Sequence, residues 1–353
     1  QFYCNLLHHS HTYLSSLKYN VFTFLAIAFV FTRVSFSQEL SLPIYLDYLT
    51  DNYYLVHPSM AGASNFNKAR LTARQQWFDV DNAPSLQTLS LNGRVNEQVG
   101  VGGIFYNDSN GRFSQQGAMA SFAYHLMFSR STIDINQLSF GLSAGVFQDR
   151  LDQTGLNSIT NPDPAIDGSQ QSETFFNVDF GLSYFFMDFF AHFTVKNILP
   201  QERQVFTDLL QMSNQRHFLA SVGYTFSSLN SRWTFEPSLF FQHREAINQS
   251  NYDLNAKAYY QMQIGQLWGG VSYRNNLDGL DFSASNANVQ YGNLQYISSF
   301  LGFNYNRFMV AYTYSYQSTE NNISTDGFHQ ITLGYDFGTN RKRYECNCPA
   351  VNY

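Results

Sequence analysis

Along most of this chain apolar and polar side chains change places every second residue, and no other feature limits the fold so tightly. From Phe176 the even positions are Phe176, Val178, Phe180, Leu182, Tyr184 and Phe186, and the odd ones Asn177, Asp179, Gly181 and Ser183. A period of two belongs to a β-strand, whose successive side chains point to opposite faces. The pattern recurs. Ala118, Ala120, Phe122, Tyr124 and Leu126 oppose Gly117, Ser121 and His125, and Leu138, Phe140, Leu142, Ala144 and Val146 oppose Ser139, Gly141, Ser143 and Gly145. Further on, Phe218, Ala220, Val222 and Tyr224 oppose His217, Ser221 and Gly223, and Ile331, Leu333, Tyr335 and Phe337 oppose Gln330, Thr332, Gly334 and Asp336.

A soluble sandwich also alternates, so composition and connections have to decide. Charged residues make up only 13% of the chain and aromatics 17%, whereas a soluble surface is richer in Lys and Glu. The net charge of -6 gives no basic footprint for nucleic acid. Strands are expected at 69–78, 86–95, 98–107, 113–127, 135–150, 174–187, 188–196, 215–227, 231–243, 252–264, 266–275, 291–304, 306–317 and 327–338. Tight turns fall at 96–97, 187–188, 228–230, 265 and 304–306, and longer polar loops at 79–85, 151–173, 197–214, 244–251, 275–290 and 318–326. The connection at 129–134 is moderately short, and 107–111 is the shortest on the long-loop side. Short turns at one rim and long loops at the other are the mark of an outer-membrane barrel, and closing the sheet leaves no strand edge in lipid. The expected fold is all-β: a single closed antiparallel transmembrane β-barrel of about fourteen strands, with short periplasmic turns and longer extracellular loops. The strands at 86–95 and 291–304 alternate poorly, and Pro237 calls for a bulge or a protected site.

Residues 1–37 are expected to be an upstream extension followed by a secretory signal peptide. The apolar run Val21–Phe31 is too short for a transmembrane helix, which needs ~20 residues. Cleavage is placed after Ser37, so the mature protein is exported. Residues 38–68 form a periplasmic or lumenal leading segment, 69–338 the barrel, and 339–353 a periplasmic tail. No later stretch could span a membrane as a helix.

The leading segment fits no regular element. It carries Tyr45, Tyr48, Tyr53 and Tyr54, then the turn His57-Pro58-Ser59-Met60-Ala61-Gly62. Together with Arg74-Gln75-Gln76-Trp77, Gly100-Val101-Gly102-Gly103, Ala123-Tyr124-His125-Leu126, Pro162-Asp163-Pro164, Gly269-Gly270-Val271-Ser272-Tyr273-Arg274 and His329–Tyr335, it resembles the PorP/SprF family of type IX secretion system membrane proteins. Family members usually read Asn-Pro-Ala-Tyr-Ala-Gly where this chain has His57–Gly62, so the turn is kept and one tyrosine is lost. The resemblance implies a non-enzymatic outer-membrane barrel in a Gram-negative bacterium. It implies partners too: periplasmic ring lipoproteins of the secretion apparatus, or the C-terminal domain of a secreted cargo such as an adhesin. A passive pore or hydrophobic-solute transporter is the alternative.

His125, Asp179, Lys196, Glu236, Asp253, Lys257, Arg274 and Asp336 fall on the lumenal face, where they line a pore, hold a plug or form a solvated ion-pair network. A Ser/His/Asp site based on His125 or His217 lacks any nucleophile motif. Asp163, Asp167 and Gly168 do not have EF-hand spacing, and Cys346-Asn347-Cys348 would leave zinc under-coordinated. No cofactor is expected. Trp77, Trp233 and Trp268 are assigned to an interfacial girdle, and Arg341-Lys342-Arg343 to a solvated tail. Arginine is expected to damage the lipid face at Phe180 or Val222, and to be tolerated at the lumenal Ser183 or Ser221.

Overall fold

The structure, a computed structural model, describes residues 52–76, 82–129, 135–154, 168–200, 216–228, 231–245, 248–277, 295–318 and 327–338. The strands in chain order are β1 Asn67–Gln76, β2 Ser85–Arg94, β3 Val99–Asn110, β4 Phe113–Met127, β5 Asn136–Asp152, β6 Gln170–Phe186 and β7 Phe189–Lys196. They continue as β8 His217–Tyr224 with a short extension Phe226–Ser227, β9 Trp233–Arg244, β10 Gln249–Gln261, β11 Gln266–Asn276, β12 Gln295–Tyr305, β13 Phe308–Ser318 and β14 Phe328–Phe337. Each pairs antiparallel with its neighbours in sequence. β1 then closes the ring on β14, with Asn67 opposite Phe337 and Gln76 opposite Phe328. The result is a closed antiparallel barrel of 14 strands.

The two faces divide as the alternation requires. Leu71, Phe122, Leu142, Phe176, Leu301 and Leu333 stand exposed on the outside, and their inward neighbours are buried. An apolar band on the outside of a closed sheet is stable only against hydrocarbon. Its height can be read on β5, where the outward residues are apolar from Leu138 to Val146 and polar at Gln148 and Arg150. That span is roughly 26 Å along the strand at ~3.3 Å per residue, and about 20 Å of height after tilt.

Past the band, at the rim opposite the chain ends, β3, β5 and β6 run on to Asn110, to Asp152 and from Gln170, beyond the bounds the sequence suggests. Strand continued outside lipid needs no apolar outer face, so hydropathy marks where the membrane stops and not where pairing stops. Two connections on this rim are consequently tight, at 111–112 and 245–248, the latter in place of the longer loop expected at 244–251.

β2 and β12 alternate cleanly despite their sequences. Thr88, Ser90 and Asn92 face inward on β2, and Tyr296, Ser298 and Phe300 on β12. What disguises β12 is aromatic bulk on the inner face beside Ser299 on the outer one. Pro237 introduces no bulge. Ser238 faces Gly223 and Phe235 faces Phe226, so no residue is inserted on either strand. The ladder to β8 lapses only opposite Glu236 and Pro237, where the proline nitrogen has no hydrogen to donate.

Candidate functional site

Three adjacent rungs of the inner wall are built from small residues. The middle rung, read across β3 to β7, is Gly100, Ala123, Gly141, Gly181 and Thr194. On one side of it lies Gly102, Ser121, Ser143 and Asp179, and on the other His125, Ser139, Ser183, His192 and Ser221. A wall without bulk leaves its own backbone accessible, and here it forms a bay floored by glycine and rimmed by hydroxyls and imidazoles.

Residues 52–66 lie in this bay. Two short 3-10 turns, Tyr53–Leu55 and Pro58–Met60, fold the segment, and His57, Ser59 and Ala61 have no exposed surface. Pro58 opens the second turn because its fixed φ suits a first helical position. A Cβ on Gly100 would run into the carbonyl oxygen of Ala61, and one on Gly141 into the backbone of Pro58 and Ser59. The close approach of the two main chains therefore requires glycine in the wall. On the segment side, Gly62 has φ of 65°, in the left-handed region, and a Cβ there would lie 2.6 Å from the Gly93 carbonyl oxygen.

Hydrogen bonds tie the segment to six strands of the wall, β2, β4, β6, β7, β8 and β9. Asn52 donates to Ser90 on β2 at 2.9 Å, Tyr54 to Ser121 on β4 at 2.8 Å, and Tyr53 to Glu236 on β9 at 3.3 Å. His57 shares hydrogen bonds with Thr194 at 2.8 Å and Ser221 at 3.4 Å, and Ser59 with Ser183 at 2.6 Å. Other contacts go to the segment's main chain. Lys196 Nζ donates to Leu55 O at 3.0 Å, Arg94 Nε to Gly62 O at 2.7 Å, and Gly62 N to Asn92 Oδ1 at 3.1 Å. His125 Nε2 donates to Ala61 O at 3.0 Å, which fixes the tautomer and leaves Nδ1 to accept from Ser139 at 2.8 Å. His57 stacks on His192 with ring centroids 4.7 Å apart. Burial, with His192 and Lys196 nearby, holds the His57 imidazole well below its ordinary range.

The opposite wall is filled by its own side chains. Tyr259, Trp268, Phe300, Met309 and Ala311 form one buried cluster. Lys257 Nζ sits 4.3 Å from the centroid of Trp268 and 4.7 Å from that of Tyr259. Arg274 grips Asp253 through two bonds of 2.8 Å, and Arg70 Nη1 lies 2.8 Å from Asp336 Oδ1.

All eight charged or imidazole residues singled out in the sequence thus point inward, in two groups. His125, Lys196 and Glu236 bond the docked segment, and Asp179 stands behind them, with Oδ1 accepting from Asn197 N at 2.9 Å. Asp253, Lys257, Arg274 and Asp336 belong to the opposite wall. Of the family-resemblance segment, His57, Pro58, Ala61 and Gly62 sit in the bay, while Tyr45 and Tyr48 lie outside the described residues.

Lys68, Arg70, Arg74 and Arg94, which are not among the lumenal charges expected from the sequence, are also buried on the inner face. Their spacing, Lys68-Arg70-Thr72-Arg74 against Ala69-Leu71-Ala73, carries the signal. Trp268 is a correction. It points inward, its ring over Gly302, where a Cβ would collide with it. Trp233 does stand outside against Tyr260, with ring centroids 4.8 Å apart. Ser183 and Ser221 do not border open water as expected, since both bond the docked segment. Trp77, Pro162–Pro164, Asp167, the 339–353 tail with its basic run and cysteines, and the leader lie outside the described residues. Among the described residues no group of three or more His, Cys, Asp or Glu could hold a metal ion.

The fold and its interior define a class, a closed outer-membrane β-barrel with a segment of its own chain docked on the inner wall. The chain belongs to the family described as type IX secretion system membrane protein PorP/SprF, whose sequence profile matches residues 37–335. It is thereby a membrane component of that secretion machinery, and its family and fold are not those of an enzyme class. No curated sequence matches the chain. Among solved structures it is similar to the CymD monoaromatic hydrocarbon channel, 11% identical over 85% of this chain and 96% of that one, with a TM-score of 0.46. It is also similar to Salmonella typhi OmpF in complex with daunomycin (13% identical, 77% and 97% covered, TM-score 0.37). A third is CdiB from Acinetobacter baumannii (8% identical, 77% and 60% covered, TM-score 0.38).

Proposed function

We propose that this barrel is a non-enzymatic holder within the type IX secretion system, which keeps either the secretion apparatus or one secreted cargo at the outer membrane. The observation that carries this reading is the segment 52–66, buried along the wall from β2 to β9, where a conducting pore would need open space. The rim bearing the tight turns at 187–188 and 306–307 and both ends of the ring faces the periplasm in this reading, as in other outer-membrane barrels. That rim then meets periplasmic ring lipoproteins or the C-terminal domain of an adhesin-like cargo before export.

Affinity capture of the tagged barrel from detergent extracts tests the assignment. Recovery of secretion-ring lipoproteins or of a cargo C-terminal domain is the expected result. Recovery of neither, together with steady ion conductance by the purified barrel in planar bilayers, overturns it in favour of a passive pore.

A further inference from the structure

The bay does more than make room for the docked segment. Its glycine floor brings strand backbone directly against the Pro58–Ala61 backbone, and four wall side chains, Lys196, His125, Arg94 and Asn92, bind carbonyl and amide groups of the segment. Main-chain groups are common to every peptide, so this part of the site reads a path and not a sequence. Selectivity comes from size. Ser59 packs over Gly141, Ala61 over Gly100, and Gly62 needs its positive φ, which together define a small-x-small-Gly turn preceded by a hydroxyl-bearing aromatic, here Tyr54. The occupant makes no β-ladder with the wall, and its two turns span three residues each. It is attached in the manner of a bound peptide, not as a structural strand.

We propose that the bay is a peptide-binding cleft, filled in cis by residues 52–66, in which a segment of a second polypeptide carrying the same small-x-small-Gly turn takes their place. The cis segment then acts as a tethered competitor, lowering the apparent affinity for the incoming peptide by the fraction of barrels already filled.

The test uses the purified full chain in detergent and a fluorescent synthetic peptide of residues 52–66, read by anisotropy. Gly62→Val disables the cis segment and leaves the wall untouched. Saturable binding to that chain, about tenfold or more tighter than to the native chain, is expected, and adding Gly141→Val should abolish it. A folded Gly62→Val barrel that leaves the peptide unbound overturns the proposal, as does binding that survives Gly141→Val.

Should Gly62→Val fail to fold, a chain with Cys4, Cys346 and Cys348 replaced by serine and bearing Ser183→Cys is mixed with a peptide bearing Ser59→Cys, activated as its thionitrobenzoate disulfide. Attack by the wall thiol releases thionitrobenzoate and leaves a mixed disulfide with the peptide. That product supports displacement. Its absence, when the doubly substituted chain Ser59→Cys/Ser183→Cys in the same serine background does close its own bridge on oxidation by added ferricyanide, overturns it. Because only the isolated barrel is used, this outcome is independent of whether secretion components are captured from extracts.

Discussion

At one level of the barrel the wall of β3 to β7 presents Gly100, Ala123, Gly141, Gly181 and Thr194. Across the lumen, a rung of β14 to β10 presents Thr332, Ala311, Gly302, Trp268 and Tyr259. The first wall has given up side-chain volume and is filled by a separate piece of chain. The second fills its own space, with an aromatic ring over Gly302 and a lysine against two aromatic faces. Glycine occurs in both, so glycine alone does not make a site. What matters is whether the space above it is taken by a neighbouring strand's side chain or by backbone arriving from elsewhere.

The comparison can be broken most directly by filling each kind of glycine. Gly141→Val should expel residues 52–66 and make them cleavable by added protease, because the clash is with backbone that cannot move aside. Gly302→Val meets only the Trp268 ring, and should leave the segment protected while lowering thermal stability. Equal release by both would erase the distinction between the walls.

A smaller effect, and one that should not differ between the walls, is expected on the outer surface. Phe180→Arg on the first wall and Leu333→Arg on the second should each cost ~2–4 kcal/mol, read by urea unfolding in lipid vesicles, since both meet the same hydrocarbon. Ser183→Arg, expected from the sequence to cost much less than arginine on the lipid face, should instead release the docked segment, since the Ser183 hydroxyl touches that of Ser59.

The least effect is a pH dependence confined to the first wall. His57 is docked neutral, its imidazole held low by burial beside His192 and Lys196, whereas in the released segment it titrates near its ordinary value of about 6.5. A lowered pKa in the docked state means that docking is fully favoured above that value and weakens as pH falls below it. Protease protection of residues 52–66 should therefore decline on going from pH 7.5 to about 5, and His57→Gln should flatten the decline. Protection that rises on acidification would contradict this account.

Much of the barrel was legible because lipid and water leave a period-two imprint, plain on β4, β5, β6 and β14. It blurred where the inner face carries aromatic bulk, as at Tyr296 and Phe300, and where strands outrun the membrane, as at Gln148 and Arg150. The inward charges were legible as a face but not as partners, since Arg70 and Asp336 meet only once the ring has closed. The bay was hidden for a different reason. On a water-facing row, glycine and serine look like ordinary small polar filler. Only the register shows that Gly100, Gly141 and Gly181 share one rung.

One consequence concerns biogenesis. Ser59 and its partner Ser183 are separated by 124 positions, and the segment that will occupy the bay is translated before any of the strands that receive it. Contacts so distant along the chain form late. The wall that receives it joins strands adjacent in sequence, β3 to β7, so the bay assembles through shorter loops than the docking that fills it.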